Sequence, residues 1–196
     1  MIELPSSPAP NGVTPEFMDF GIVLRPATGA ALGRVDRPGS RWKAEFTFPP
    51  MKPELARVFQ SRIARGTSEG LRLTWPLLGA LQGNPGVPVI DGSAAAGTSL
   101  PLRGLNAGYP IKEGYWLSVI DGDGVHYLHQ VATGTAADSS GEATVTIAPA
   151  LRAPLADGDS VLLARPVIEG LVTSAVTWPM TPDRLIPLSF TLEEQA

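Results

Sequence analysis

The chain has 196 residues, a net charge of −4 at pH 7 and no cysteine. With 43% apolar and 17% charged residues, its composition is typical of a folded protein with a real core and excludes a disordered chain. Disulfides, thiolate metal sites and a cysteine nucleophile are also excluded, and the mild acidity argues against a nucleic-acid-binding face, which would show a basic cluster.

The first 16 residues are predicted to form an extended or partly disordered arm, because they carry prolines at positions 5, 8, 10 and 15. They contain no basic region followed by an apolar run, so we predict no signal peptide. No apolar stretch in the chain approaches the length of a membrane span. We therefore expect a soluble protein that is made in the cytoplasm.

Short strands separated by turns are predicted to follow the arm. The chain has 21 glycines and 20 prolines, well above the roughly 12% combined share of average proteins, and such punctuation is typical of all-β architectures. Strands are predicted at 20–24, 31–35 and 42–48. In the third, Trp42, Ala44, Phe46 and Phe48 alternate with polar residues, which indicates one buried face. Because proline cannot donate to a ladder, pairing is predicted to end at Pro49 and Pro50.

A single amphipathic helix is predicted over 53–65. Pro53 and Glu54 suit a first helical turn, and Gly66 suits a stop. The expected apolar stripe consists of Leu55, Val58, Phe59 and Ile63. One helix in a β-rich chain must cover a sheet, and a further strand is predicted at 71–75. Residues 17–80 are thus expected to form a first sheet with a docked helix.

The middle of the chain is predicted to form a separate small barrel. Residues 81–98 are rich in Gly, Pro and Ala and are interpreted as a connection. Residues 99–166 offer short strands at 99–103, 115–120, 125–131, 143–147 and 160–164, a regular spacing that favours a small barrel or sandwich. Longer strand patterns return at 176–178 and 185–192. The predicted fold is therefore mostly β: a β-sandwich, formed by 17–80 and 167–196 with one docked α-helix, plus an inserted small β-barrel.

Two histidines, His126 and His129, are the first candidates for chemistry. In a strand their spacing of three places them on opposite faces, so they cannot share a metal. Asp121 and Asp123 resemble the start of a calcium loop, but the remaining ligands are missing and a type I′ hairpin turn explains the pattern. We predict no metal and no cofactor.

The candidates for acid–base catalysis are the acidic residues of the barrel, which all lie in predicted turns where exposure is the default. They are Asp121, Asp123, Asp138, Glu142, Asp157 and Asp159. Ser139 and Ser140 have no histidine predicted nearby, and no nucleophile elbow, phosphate loop or dinucleotide fingerprint is present. We therefore predict no catalytic residue and no enzyme activity. The alternative, a small hydrolase, would need two of these carboxylates in one cleft.

The aromatic residues have two interpretations. Trp42, Trp75, Trp116 and Trp178 lie in or beside apolar strands, which favours core packing. A carbohydrate-binding face would instead expose aromatics on one side, and the candidates for it are Tyr109, Tyr115, Tyr127 and Trp116.

An aromatic strand, a proline-marked turn and a helix follow one another in WKAEFTFPPMKPELARVFQSRIARG (42–66), and LRLTWP (71–76) comes next. Further segments are the arm PSSPAPNGVTP (5–15), RPGSRW (37–42), EATVTIAPALRAPLADGDSVLLARP (142–166) and the ending LSFTLEEQA (188–196). Together these segments give the chain a resemblance to the tail-tip proteins of long-tailed bacteriophages, of the distal tail type. It is a similarity of pattern and order, and it covers 20–50 and 110–192 best.

That resemblance implies a structural role in the virion rather than catalysis. Proteins of this type form a ring, commonly sixfold, that joins the tail tube to the receptor-binding or baseplate parts. The implied partners are other copies of this chain, the tail tube protein and other tail-tip proteins, with a host-surface glycan as a further candidate. No membrane insertion and no sequence-specific nucleic acid are implied. The alternative is a carbohydrate-binding or host-recognition module of the same tail apparatus.

Ring formation also requires strand edges and charged residues that can pair between subunits. The N-terminal arm and the C-terminal strand are candidate elements for exchange between subunits. On the polar face of the 42–48 strand, Arg41, Lys43 and Glu45 are candidates for ion pairs between subunits.

Overall fold

The computed structural model describes residues 1–35, 37, 39–177 and 185–195. In chain order the elements are β1 (Ile2–Glu3), β2 (Gly12–Met18), β3 (Ile22–Leu24), β4 (Gly33–Val35), β5 (Arg41–Met51), α1 (Pro53–Glu69), β6 (Leu71–Thr74), β7 (Gly86–Ile90), β8 (Gly97–Leu105), β9 (Pro110–Ile111), β10 (Trp116–Ile120), β11 (His126–Thr133), β12 (Thr135–Ala136), β13 (Ala143–Leu151), β14 (Val161–Leu162), β15 (Val167–Val172) and β16 (Ile186–Glu194).

Two six-stranded sheets carry the fold. The main sheet has the order β1-β6-β15-β16-β5-β2, and the barrel sheet has the order β14-β10-β11-β13-β8-β7. The outer strands of the barrel sheet are joined by a bridge between Val89 and Ser160, so that sheet is nearly closed. The prediction of a mostly β fold with one docked helix and a small barrel is confirmed.

The barrel is an insertion between two neighbouring strands of the main sheet. β6 and β15 pair antiparallel, with Thr74 opposite Val167, and the whole barrel lies between these two residues in the chain. Each unit has its own core: one cluster gathers on the main sheet and α1, and a second fills the barrel. The main-sheet cluster also includes Leu128 of β11, so the two units share buried surface.

Helix α1 covers the main sheet but runs farther than predicted. The helix continues through Gly66 and ends at Glu69. Gly66 allows close packing instead of ending the helix, because a Cβ at this position would lie 3.0 Å from the side chain of Val172. Gly70, with φ +77, follows the last helical residue. Phe59 and Ile63 of the predicted stripe are buried. Val58, at 42% exposure, is not.

The prediction that pairing ends at Pro49 and Pro50 was wrong. β5 continues through both prolines to Met51, which pairs with Ile186 of β16. The register shifts between Phe48 and Met51. At such a bulge two residues oppose one, so the prolines lie where the ladder does not require their missing N–H groups.

Three boundaries of the predicted units also change. In the predicted arm, residues 12–16 belong to β2, which pairs along β5. The predicted strands 20–24 and 31–35 do not join the main sheet, because β3 and β4 pair only with each other among the described strands. Finally, the predicted connection 81–98 contains β7 and the start of β8, so the barrel begins near residue 86.

The C-terminal prediction is confirmed in part. Ile186, Leu188, Phe190 and Leu192 are buried and their alternating neighbours are not. For the predicted strand 176–178, residues 176 and 177 are not in a strand, and Trp178 lies outside the described residues.

Candidate assembly surface

The β3–β4 hairpin presents apolar side chains to solvent on both faces. Ile22, Leu24 and Val35 share one face, and Val23 lies on the other; their exposures range from 39% to 52%. Leu32, just before β4, is 66% exposed. A two-stranded hairpin is at best marginally stable alone in water, and among the described residues no layer covers these apolar side chains.

Polar contacts fix the base of the hairpin. The guanidinium of Arg34 binds the Asp19 carboxylate with two bonds of 2.9 Å, and Asp19 also accepts the N–H of Gly21. The bond from Arg34, followed by the bond from Gly21, lowers the pKa of Asp19. The guanidinium carbon of Arg41 lies 5.0 Å from the centroid of the Phe20 ring. The hairpin is therefore held in one position while its apolar faces stay exposed.

The hairpin connects the two strands at one edge of the main sheet. Of these, β2 is the edge strand, and within the described part of the chain only β5 pairs with it. Its outward edge is therefore a row of backbone groups available for pairing. Pro15, in the middle of β2, interrupts that row.

An apolar groove of about 570 Å³ extends across the main sheet, from the segment after β1 and from β6 to Phe48 on β5. One wall is the segment after β1, which contains Pro5, Pro8 and Pro10, and the other includes Leu77 and Leu81. Leu81 is 84% exposed. The main sheet thus carries an exposed apolar hairpin beside β2 and an apolar groove that contains no residue of the hairpin.

The basic residues on the polar face of β5 form ion pairs within the chain. Arg41 binds Glu193 at 2.8 Å, and Lys43 binds Glu16 at 3.1 Å. Both basic residues thus have cross-strand partners within the chain, and their pairing between subunits stays a prediction. Glu45 is exposed.

A buried ion pair fastens the barrel to the main sheet. Arg152 donates two hydrogen bonds, of 2.8 and 3.0 Å, to the carboxylate of Glu194. The same carboxylate accepts the backbone N–H of Trp42 on β5 and of Leu128 on β11, each at 2.7 Å. The side chains of Arg152 and Glu194 are 4% and 0% exposed, so the pair is removed from water and fully engaged on the acidic side.

Aromatic rings pack across the same boundary. The Trp116 ring of the barrel lies 4.8 Å from Trp42 and 4.4 Å from Trp75. Gln82, which is 3% exposed, donates to the carbonyls of Trp116 and Leu163 and accepts the N–H of Trp116. Core packing is therefore the role of these three tryptophans, and no pattern in the sequence predicts that Gln82 is buried.

The acidic candidates of the barrel organise turns. Asp121 accepts the N–H groups of Asp123 and Val125, and Asp138 accepts those of Ser140 and Glu142. The predicted type I′ turn at Asp121–Gly124 was wrong, because that turn needs positive φ at its two central residues. Here the positive φ of +78 belongs to Gly124 instead, as in a three-residue hairpin loop with a bulge.

The other two aspartates also serve loops. Asp157 accepts the N–H of Gly92 and binds Arg103, and Asp159 accepts the N–H of Ala156. The bond from Arg103 lowers the pKa of the exposed Asp157 carboxyl. Ser139 and Ser140 are exposed.

His126 and His129 lie on opposite faces of β11, as predicted. Leu128, on the side of His126, belongs to the main-sheet core, whereas Val131, on the side of His129, belongs to the barrel core. Both histidines are buried. Burial lowers the pKa of His129 to about 3. Among the described residues no group of three or more His, Asp or Glu could hold a metal ion.

The candidate aromatics of a glycan-binding face are dispersed or covered. Tyr109 is buried and its hydroxyl donates to the carbonyl of Gln82. Burial raises its pKa to about 12. Tyr115 and Trp116 are partly buried against different cores, and the hydroxyl of Tyr127 donates to Asp121.

Comparison with protein-family models and with curated protein sequences found no match to this chain. Among the described residues, no helix has the length and apolar character to cross a membrane.

The geometry singles out one surface, which consists of the β3–β4 hairpin and the open edge of β2. The chemistry of this surface suits apolar and backbone contacts.

Proposed function

We propose that this protein is a structural component of a bacteriophage tail tip, where copies form a ring that joins the tail tube to the distal tail or receptor-binding parts. The observation that carries the proposal is the β3–β4 hairpin, whose apolar faces are exposed and have no covering layer within the described part of the chain. A second protein surface would supply that layer. The resemblance of the sequence to tail-tip proteins points the same way.

The placement of the two apolar features supports a head-to-tail ring. A heterologous interface uses two different surfaces of one subunit and closes into a ring when the rotation permits. The hairpin lies at the β2 edge of the main sheet, whereas the groove is lined by the segment after β1, by β6 and by Leu81 and contains no hairpin residue. Each copy thus offers one surface to the copy before it and another to the copy after it.

Native mass spectrometry over a range of concentrations tests the proposal. A discrete closed ring is expected for the unaltered chain. Leu24→Asp on the hairpin and Leu81→Asp in the groove should each abolish the ring, because a carboxylate would be buried in the interface. Val87→Asp is the matched control and should still assemble, because this barrel-strand position is 81% exposed and belongs neither to the hairpin nor to the groove lining.

Mixing the two defective variants sharpens the test. Each variant keeps one intact surface, so a head-to-tail interface predicts heterodimers and no larger species. Monomers at every concentration for the unaltered chain, including in the presence of purified tail tube protein, would contradict the proposal. A ring that survives both substitutions would instead place the interface elsewhere on the chain.

A further inference from the structure

Arg72 ties the β10–β11 hairpin of the barrel to the main sheet. Its guanidinium binds the buried carboxylate of Glu169 on the neighbouring strand at 2.7 Å. The same guanidinium donates to the backbone carbonyl of Gly124, in the loop between β10 and β11, at 3.0 Å. This contact is separate from the Arg152–Glu194 pair, so the barrel is held at two points.

His126 is buried beside that contact. It is 8% exposed, and its Nδ1 atom is buried with no hydrogen-bond partner within the described part of the chain. The charged and titratable groups around it are Arg72, Glu169, Glu3 on β1 and Asp121 of its own hairpin. Burial and then the Arg72 guanidinium lower the pKa of His126, so a proton on this ring is disfavoured while the contact is closed.

We propose that protonation of His126 releases the β10–β11 hairpin from Arg72, while the barrel and the main sheet keep their strands. The new N–H would lie among buried atoms, and the added charge would lie beside the guanidinium that holds Gly124. When the hairpin moves away from Arg72, water can hydrate the imidazolium and the guanidinium separately. The Arg152–Glu194 pair and the two chain connections keep the barrel attached.

The pH range that isolates this event lies between 6.5 and about 4.5, where free histidine is protonated and ordinary carboxyl groups remain charged. His126 binds protons more weakly in the closed state, so opening is favoured as the pH falls. The opening equilibrium rises by at most about tenfold per pH unit below 6.5. At pH 6.5 the open state is already half protonated, so between pH 6.5 and 5 the open population should grow by up to about 16-fold.

Spin labels can measure the opening directly, because the chain has no native cysteine. Labels at Gly122→Cys in the hairpin and Ser68→Cys on α1 occupy exposed positions. Pulsed electron resonance should give one distance at pH 7.5 and a second, longer distance that grows toward pH 5. Far-UV circular dichroism should stay constant over the same range.

The histidine variants decide the cause. His126→Gln, or His126→Phe if the first variant does not fold, should keep the single distance at all pH values. His129→Gln removes the histidine that faces the barrel core and should retain the second distance. The proposal is overturned if the longer distance persists without His126, if it never appears, or if the circular dichroism signal is lost with it. The inference concerns the single chain and does not depend on ring formation.

Discussion

Replacing Glu194 with glutamine tests whether the barrel is held by the buried Arg152–Glu194 pair. The substitution keeps the size of the side chain but leaves the Arg152 guanidinium buried without a counter-charge, a loss that costs about 3–5 kcal/mol. In addition, the amide offers one oxygen where the carboxylate had two, so a backbone N–H of Trp42 or Leu128 loses its acceptor, at about 1–3 kcal/mol. We expect the free energy of unfolding to fall by at least about 4 kcal/mol.

Urea and thermal unfolding of Glu194→Gln measure this loss, which corresponds to a melting temperature lower by roughly 8–16 °C for a chain of this size. Glu193→Gln is the matched control. It removes the neighbouring carboxylate from a pair whose side chains are about 20% exposed, and should cost less than about 1 kcal/mol. If both variants lose the same stability, or if Glu194→Gln loses less than about 1 kcal/mol, the reasoning about burial and pairing is refuted.

Three further predictions follow from buried contacts. Gln82→Met should lower the free energy of unfolding by about 2–4 kcal/mol in urea titrations, because the backbone N–H and carbonyl of Trp116 lose their partner. Gly170→Ala should prevent native folding, judged by circular dichroism, because its Cβ would overlap a carbonyl of the next strand. Gly122→Ala is the control and should fold, because its Cβ would meet open space. The free energy of unfolding should decline as the pH falls from 6.5 toward 3, since the unfolded chain binds protons that the two buried native histidines bind more weakly, His129 with a pKa of about 3. His129→Gln should make that decline shallower without removing it, in urea titrations repeated across the range.

Periodicity in the sequence was enough to predict the strands with one buried face. The alternation of Trp42, Ala44, Phe46 and Phe48 fixes which face of β5 is buried, and the same holds for β16. These residues obey a local rule, because a strand with one buried face repeats every two residues. The helix was predicted for the same reason, although the role of Gly66 depends on Val172, more than 100 residues away in the chain.

Features that depend on distant partners could not be predicted. Glu194 reads as a charged residue near the end of the chain, yet it is buried because Arg152 and two backbone N–H groups converge on it. Gln82 lies in a loose, Gly-rich segment, and nothing in its neighbours signals burial. The hairpin was predicted as two strands of the main sheet, since Ile22 and Val35 have strand character whether or not a sheet receives them. Strand propensity predicts that a segment is extended, but it does not predict which strand the segment pairs with.

The insertion of the barrel explains why the junction carries so many buried polar groups. Thr74 and Val167 are paired neighbours, so the two connections to the barrel leave the main sheet at one point and act together as a pivot. Apolar packing around such a pivot resists separation but is tolerant of small rotations, because it has no direction. Hydrogen bonds to Glu194 and from Arg72 have fixed lengths and directions, and both link the barrel to the main sheet. The orientation of the barrel is therefore set by polar contacts, and the proposed ring would present its barrels at one defined angle for as long as those contacts hold.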